Sequence, residues 1–244
     1  MQLIQVLQIS TLFSLISAYP AVPADDENGV LRPRYPDELS AGLLRRGDGK
    51  SEKSPKDLEL DFKKYPGAFD VLEADCMMIL CFGAPKTLQR GEPKDRSKRN
   101  TASGASLEPF HTDQLKKRET TRRSDKTNSP EEYPYESVEQ GGKNALLIGV
   151  TEGAQTEQGK YLSGGYTSNS IKPGDWFQHS YANIPDKSVY CKALVQKKSP
   201  DSVCKGRDKN DMINFVYQKE KEREGNKPWT LKHMQYGRDK WTKP

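Results

Sequence analysis

The sequence predicts an α+β fold, with a small, mainly antiparallel sheet, two or three helices and long disordered segments. Short apolar runs with strand or helix periodicity are separated by long polar stretches. Of the 244 residues, only 33% are hydrophobic and 30% are charged. A chain of this composition cannot pack along its whole length into one core. We therefore expect one folded domain over residues 57–224, flanked by polar segments.

The first 18 residues have the pattern of a secretory signal peptide. An almost uncharged apolar run over 3–18 ends in the small residues Ser17 and Ala18, before a Tyr-Pro pair. The run is shorter than the roughly 20 apolar residues that a membrane-spanning helix needs. A signal peptide cleaved after Ala18 is the favoured interpretation, and a buried N-terminal helix is the alternative. We therefore expect a secreted, extracellular protein.

Residues 19–56 are rich in proline, glycine and charge and show no apolar periodicity. Such a segment is typical of a disordered pro-segment or linker. It contains the dibasic pair Arg45-Arg46. This pair is either a cleavage site for a secretory-pathway convertase or an ordinary solvated charge pair.

The predicted elements of the domain follow from local patterns. Leu58, Leu60 and Phe62 alternate with charged residues, which predicts a strand. Residues 69–82 form the densest apolar stretch after the signal peptide and are expected in the core. Further predictions are strands over 144–150 and 175–181, a helix over 156–166 that ends at Gly164-Gly165, a helix over 208–224, and a loosely ordered polar tail over 225–244.

Residues 83–130 are polar and irregular, and they predict a long basic loop. They hold 12 Lys and Arg against 6 Asp and Glu, a net charge of +6. A flexible basic loop attracts polyanions through counterion release, without sequence preference. A solvated insertion with no partner is the alternative. The candidate nucleic-acid-binding residues are those of its densest clusters, Lys116, Lys117, Arg118, Arg122 and Arg123.

Four cysteines follow the signal peptide: Cys76, Cys81, Cys191 and Cys204. In an oxidising compartment an even number suggests two disulfides, and four cysteines allow three connectivities. The short spacings favour the local bridges Cys76–Cys81 and Cys191–Cys204, because short loops close most easily. A zinc site is disfavoured, since there is no Cys-x2-Cys pair and the three histidines are scattered.

Residues 131–142 carry Glu-Glu-Tyr-Pro-Tyr-Glu-Ser followed by Glu-Gln-Gly-Gly, and this segment resembles the signature of the NucA/NucB-type deoxyribonucleases. The resemblance extends over 62–181, and the cysteine-bearing stretch 69–82 is similar to the secreted fungal branch of the family. The other matching pieces are Arg99-Asn100-Thr101-Ala102-Ser103-Gly104, Val150-Thr151, Gln158-Gly159 and Gly174-Asp175-Trp176-Phe177.

The resemblance implies a metal-dependent, non-specific endonuclease that cuts DNA. It also implies a strand–turn–strand–helix unit, with the first acid of the signature and a downstream Asn as the main site residues. Those positions hold Glu131 and Gln155 here, each one methylene longer. Glu131 is thus the candidate catalytic residue and, with Gln155, a candidate ligand of Mg2+ or Mn2+, which prefer oxygen donors. Glu132 and Glu139 lie close in sequence and are further catalytic candidates.

The family also carries a His or an Asp upstream, in the region that corresponds to 69–83. Asp70 and Asp75 lie in that region, but out of register. The second hypothesis is therefore a catalytically inactive secreted relative that binds DNA, RNA or a protein partner. Taken alone, Glu131-Glu132 would be a solvated acidic turn. A peptidase or glycosidase finds no support, because no Ser/His/Asp set and no spaced carboxylate pair stands out.

Overall fold

The computed structural model describes residues 47–220 and 230–243. The predicted signal peptide and Arg45-Arg46 lie outside the described residues. The chain forms a mixed α+β fold, as the sequence predicts. The strands are β1 (Lys56–Asp61), β2 (Thr87–Gln89), β3 (Ser129–Tyr133), β4 (Leu146–Val150), β5 (Trp176–Ala182), β6 (Tyr217–Lys219) and β7 (Leu231–His233). The helices are α1 (Phe69–Phe82), α2 (Arg96–Ser103), α3 (Thr112–Arg118), α4 (Glu152–Ser168), α5 (Tyr190–Val195) and α6 (Pro200–Cys204).

The strands form two small sheets. The first has the order β1-β5-β2, with β5 parallel to β1 and antiparallel to β2. The second has the order β3-β4-β6-β7, and all its pairs are antiparallel. The expectation of mainly antiparallel pairing is therefore confirmed, with the β1–β5 pair as the exception.

Helix α1 is the centre of the core. Eleven of its 14 residues are buried, so the helix is enclosed by neighbours on nearly all sides. It ends at Gly83, whose φ of 72° is in the left-handed region that glycine adopts without strain, and whose N–H bonds the carbonyl of Met78. The apolar stretch 69–82 is thus core, as predicted, and any polar group on it is held inside the protein.

The disulfide pairing predicted from spacing is wrong. Cys76 is bonded to Cys191, and Cys81 to Cys204. Cys76 and Cys81 lie five residues apart on α1, which places them about 140° apart around a helix of 3.6 residues per turn. Side chains that point in such different directions cannot bridge each other. The two bonds instead tie α1 to α5 and α6.

The segment predicted as an irregular basic loop is folded. Residues 83–130 contain β2, α2 and α3, and Phe110 is fully buried against the ring of Tyr217, with centroids 5.8 Å apart. Arg122 donates to the carbonyl of Phe110 at 2.8 Å. Polar residues predominate here because most side chains of the segment remain at least partly exposed.

The C-terminal region also differs from the prediction. The apolar residues expected on a helix over 208–224 form a 3-10 turn, Met212–Phe215, followed by β6. Beyond residue 229 the chain adds β7 to the second sheet, and the backbone N–H of Trp241 bonds the carbonyl of Phe82 at 2.8 Å. A short apolar run can serve a strand as well as a helix, and here pairing with β4 decides the outcome.

Candidate active site

Strand β3 separates the two acids of the Glu-Glu pair. Successive side chains of a strand point to opposite faces of its sheet. Glu131 faces the main core with Tyr133, while Glu132 lies opposite Leu147, which belongs to a separate apolar cluster on the other face. The two acids therefore belong to different environments.

Glu131 is joined to the first turns of α4. That helix begins directly after β4, where the side chain of Thr151 accepts the N–H of Ala154 at 3.2 Å and caps it. The amide of Gln158 donates to Glu131 Oε1, and Gln155 donates to Gln158 Oε1 at 3.2 Å. The strand–turn–strand–helix unit thus brings the acid of β3 to the amides of α4.

Asp75 of α1 is the second carboxyl group at this site. The hydroxyl of Tyr135 donates to Asp75 Oδ2 at 2.5 Å, and that of Tyr161 donates to the same oxygen at 3.4 Å. Asp75 and Glu131 are both fully buried. Although its spacing departs from the upstream position of the family pattern, the inner face of α1 carries Asp75 to the site.

Burial dominates the electrostatics of this carboxyl pair. Removal from water raises the pKa of Asp75 to about 8, against the opposing effect of its two tyrosine hydrogen bonds. Burial, followed by the charge of Asp75, raises the pKa of Glu131 well above its ordinary value. The pair therefore holds protons near neutral pH, and its ionised form requires a compensating positive charge.

His179 of β5 closes the site on the side of the first sheet. Its ring lies 5.6 Å from that of Tyr135 and 6.4 Å from that of Tyr133, measured between centroids. Only 1% of the residue is exposed, and burial lowers its pKa to about 3, with a smaller contribution from Lys86. Neither ring nitrogen has a hydrogen-bond partner within the described residues. His179 is thus a neutral imidazole inside an aromatic cage.

Three buried oxygens bear on metal binding: Asp75 Oδ1, Glu131 Oε2 and Gln155 Oε1. In the part of the chain that the structure describes, none of them has a hydrogen-bond partner. Over residues 47–220 and 230–243, no group of three or more His, Cys, Asp or Glu is arranged to hold a metal ion. Mg2+, however, is usually bound by only one or two carboxylates, with water and substrate oxygens completing its shell. Two carboxylates and an amide oxygen fit that chemistry.

The remaining acidic candidates lie elsewhere. Glu132 accepts a hydrogen bond from the buried hydroxyl of Ser103, and burial raises its pKa to about 7. Glu139 is near the surface, where Arg99 Nη1 lies 3.4 Å from its carboxylate. The structure therefore does not bring Glu132 and Glu139 together with Glu131.

The five basic candidates divide into two groups. Lys116 and Lys117 are exposed at the end of α3, whereas Arg118 is half-buried. Arg122 is held by the Phe110 carbonyl, and Arg123 pairs with Asp70 of α1 at 2.8 Å. Arg122 thus braces the segment internally and Arg123 fastens it to the core, so replacing all five residues together is not expected to leave the fold intact.

The other pieces of the signature have structural roles. A Cβ atom on Gly141 would lie 2.0 Å from the carbonyl oxygen of Tyr135, so only glycine fits there. Gln140 accepts the N–H of Gln89 at 2.9 Å. Arg99 Nε donates to the carbonyl of Glu136 at 2.7 Å, which ties α2 to the turn after β3. These residues hold the segment that carries Glu131.

Sequence reasoning missed Asp75, the role of Gln158, and His179. An acid within an apolar helix was a usable signal for Asp75. His179 is in phase with Phe177 and Tyr181, so the period of β5 placed it on the inner face. The tyrosine that bonds Asp75 most closely, Tyr135, comes from the signature itself.

The comparison with protein families agrees with this geometry. Residues 75–180 match the family model described as Deoxyribonuclease NucA/NucB. No curated protein and no solved structure matches the chain. The matched segment includes Asp75, Glu131, both α4 amides and His179. The buried carboxyl site therefore lies within a segment, less than half of the chain, that is similar to the NucA/NucB deoxyribonucleases.

Proposed function

We propose that this protein is a secreted nuclease that hydrolyses phosphodiester bonds of DNA without sequence preference and requires a divalent metal ion. The family match supports a nuclease function. The observation that carries the proposal is the meeting of Glu131, Asp75 and the α4 amides on one side of β3, inside the matched segment.

Glu131 is the proposed general base, once the positive charge of a bound metal ion allows it to ionise. A carboxylate with a raised pKa accepts a proton from water more readily than an ordinary one, and a pKa near the working pH is the most effective. Gln158 holds one oxygen of Glu131 in place, which leaves Oε2 as the oxygen able to take the proton.

Asp75 Oδ1 and Gln155 Oε1 are the unpartnered oxygens that would hold the metal ion, with Glu131 next to them. Mg2+ or Mn2+ bound there would supply positive charge to the phosphate oxygens as negative charge develops. Tyr135 keeps one oxygen of Asp75 engaged and leaves the other unpartnered. Orientation of this carboxylate by Tyr135 and Tyr161 is the contribution of the chain.

Access to the site requires side-chain movement. Glu131 and Asp75 are fully buried, whereas Gln155 is half-buried and is the outermost of the group. The 3.2 Å hydrogen bond between Gln155 and Gln158 must break when a phosphate approaches Glu131. A single neutral hydrogen bond contributes about 1 kcal/mol net, so the loss of this bond adds little to the chemical barrier.

Secretion is part of the proposal. All four cysteines form disulfides, which persist in oxidising compartments. No helix within the described residues has the length and apolar character needed to cross a bilayer. With cleavage after Ala18, the secreted form would begin at Tyr19, or at Gly47 if the dibasic site is used. Mass spectrometry of exported protein should find one of these termini, and an intact Met1 would contradict it.

Plasmid nicking tests the activity. Supercoiled DNA should be nicked with Mg2+ or Mn2+ and protected by EDTA. Glu131→Gln should abolish nicking, because the amide cannot take a proton. The matched control, Glu59→Gln, changes an exposed acid of β1 and should retain nicking. Cleavage that survives either EDTA or Glu131→Gln would show that the site is wrongly assigned.

A further inference from the structure

A groove lies beside the candidate active site, between α4 and the chain that follows β2. Its volume is about 210 Å³. Gly159 of α4 lines the groove and directly follows Gln158, the residue bonded to Glu131. Consecutive residues of a helix point about 100° apart, so the groove lies on the neighbouring face of the helix that supports the carboxyl site.

One wall of the groove is a stacked pair, Arg90 and Tyr166. The guanidinium carbon of Arg90 is 4.5 Å from the centroid of the Tyr166 ring. Arg90 also donates to the carbonyl of Ile171, and its backbone N–H bonds the carbonyl of Asp175 at 2.9 Å. The stacking on Tyr166 and the bond to Ile171 fix the plane of the guanidinium group, and nucleobases stack on such planes and on aromatic rings.

The other groups of the groove are of mixed polarity. Ser163 and Thr167 line the groove from α4, and Glu92 lines it from the chain that follows β2. Arg96 stands at the rim with 61% of its side chain exposed, next to Glu136. A bare phosphate would meet the unfavourable charge of Glu92. A nucleotide matches these groups better: the edge of its base carries donors and acceptors for the polar side chains, and its phosphate pairs with Arg96 at the rim.

We propose that this groove binds one nucleotide of a single-stranded or locally opened nucleic acid, with its base stacked on Arg90 and its phosphate at Arg96. The proposal rests on the proposed function, because it makes the groove the place where the strand to be cut is held beside Glu131. It would give the protein a base-stacking contact that is independent of the exposed lysines of α3.

Fluorescence anisotropy of a labelled single-stranded DNA of about eight nucleotides, measured in EDTA so that no cleavage occurs, tests the groove. Ser163→Leu fills the groove from an exposed position of α4 and should weaken binding about tenfold, the loss expected from one stacked base. Ser168→Leu places the same bulk on the same helix outside the groove and should change binding less than about twofold. Circular dichroism verifies that both variants fold.

A second pair of measurements separates stacking from charge. Arg90→Lys keeps the positive charge and loses the plane, so it should weaken binding of normal DNA. An oligonucleotide of abasic sites, with the same phosphates, should bind the wild type about tenfold more weakly than normal DNA and should not distinguish Arg90→Lys from the wild type. Equal binding of abasic and normal DNA by the wild type, or full binding by Ser163→Leu, would overturn the proposal.

The two proposals fail separately. Loss of binding in Ser163→Leu and Arg90→Lys, together with no nicking under any divalent cation, would support the groove and reject the nuclease. Metal-dependent nicking by a wild type whose DNA binding is unchanged in both groove variants would reject the groove and support the nuclease.

Discussion

Asp75→Asn is the sharpest perturbation of the buried carboxyl pair, because it removes one charge and keeps the shape. In metal-free protein the folded state holds the Asp75 proton up to about pH 8. An unfolded chain releases it near pH 4. Between these values the folded state binds more protons than the unfolded state, so the free energy of unfolding falls as pH rises through this window. Below about pH 4, Asp75 is protonated in both states and does not lower the free energy of unfolding.

The size of the effect follows from the shift. Each pH unit inside the window costs about 1.4 kcal/mol for one fully linked proton, so raising the pH from about 5 to about 8 costs at most roughly 4 kcal/mol. For a domain of this size, about 1 kcal/mol corresponds to roughly 2–4 °C in Tm. The wild type should therefore lose on the order of 10 °C between these pH values through Asp75.

Thermal denaturation followed by circular dichroism in EDTA measures the slope. Asp75→Asn should match the wild type near pH 5, since an amide oxygen can still accept from Tyr135. It should lose much less stability towards pH 8, with a residual slope from Glu131. Mg2+ or Mn2+ should raise the wild-type Tm more at about pH 8 than at about pH 5. Equal pH slopes in the two proteins would refute the account of a protonated buried pair.

Three further outcomes are expected. Non-reducing peptide mapping should find α1 bonded to α5 and α6, and a bond within α1 would contradict the topology. Reduction should lower Tm by about 10 °C or more, because each bond closes a ring of over 100 residues, which is worth about 4–5 kcal/mol in the entropic model. Lys116→Ala with Lys117→Ala should reduce the slope of log affinity against log salt by up to about 2 without changing Tm, and an unchanged slope would remove these lysines from the interface. Gly141→Ala should strongly reduce soluble yield, because its Cβ would meet the Tyr135 carbonyl at 2.0 Å, and near-normal Tm would show that this turn can relax.

The sequence predicted the elements whose pattern is strong and local. The alternation of Leu58 and Leu60 gave β1, and the apolar runs before Val150 and around Phe177 gave β4 and β5. The prediction of elements from sequence failed where one residue pattern is compatible with two structures. The predicted stop at Gly164-Gly165 is an example, since α4 continues to Ser168. Gly165 serves close packing rather than helix termination: a Cβ there would lie only 3.0 Å from Leu58.

The sequence predicted only the part of the site that comes from one local segment. Glu131 and the entrance of α4 follow from one contiguous segment, which a motif can identify. Asp75 and His179 reach the site from other elements; local patterns mark them as buried polar residues, but the packing of α1 and β5 around β3 is needed to place them at the site. The disulfide prediction assumed that short separation decides pairing, whereas the helical direction of the cysteine side chains decides it.

The Cys76–Cys191 bond closes a loop of the chain that contains every residue of the candidate site except Asp75, which directly precedes Cys76. Glu131, α4 and β5 all lie between the two cysteines, which are 115 residues apart in sequence. A protease that cuts once inside this loop would leave both fragments covalently joined and still packed on α1. For a protein released into surroundings that contain proteases, this arrangement prolongs its lifetime, because one cut inside the loop does not separate the two fragments.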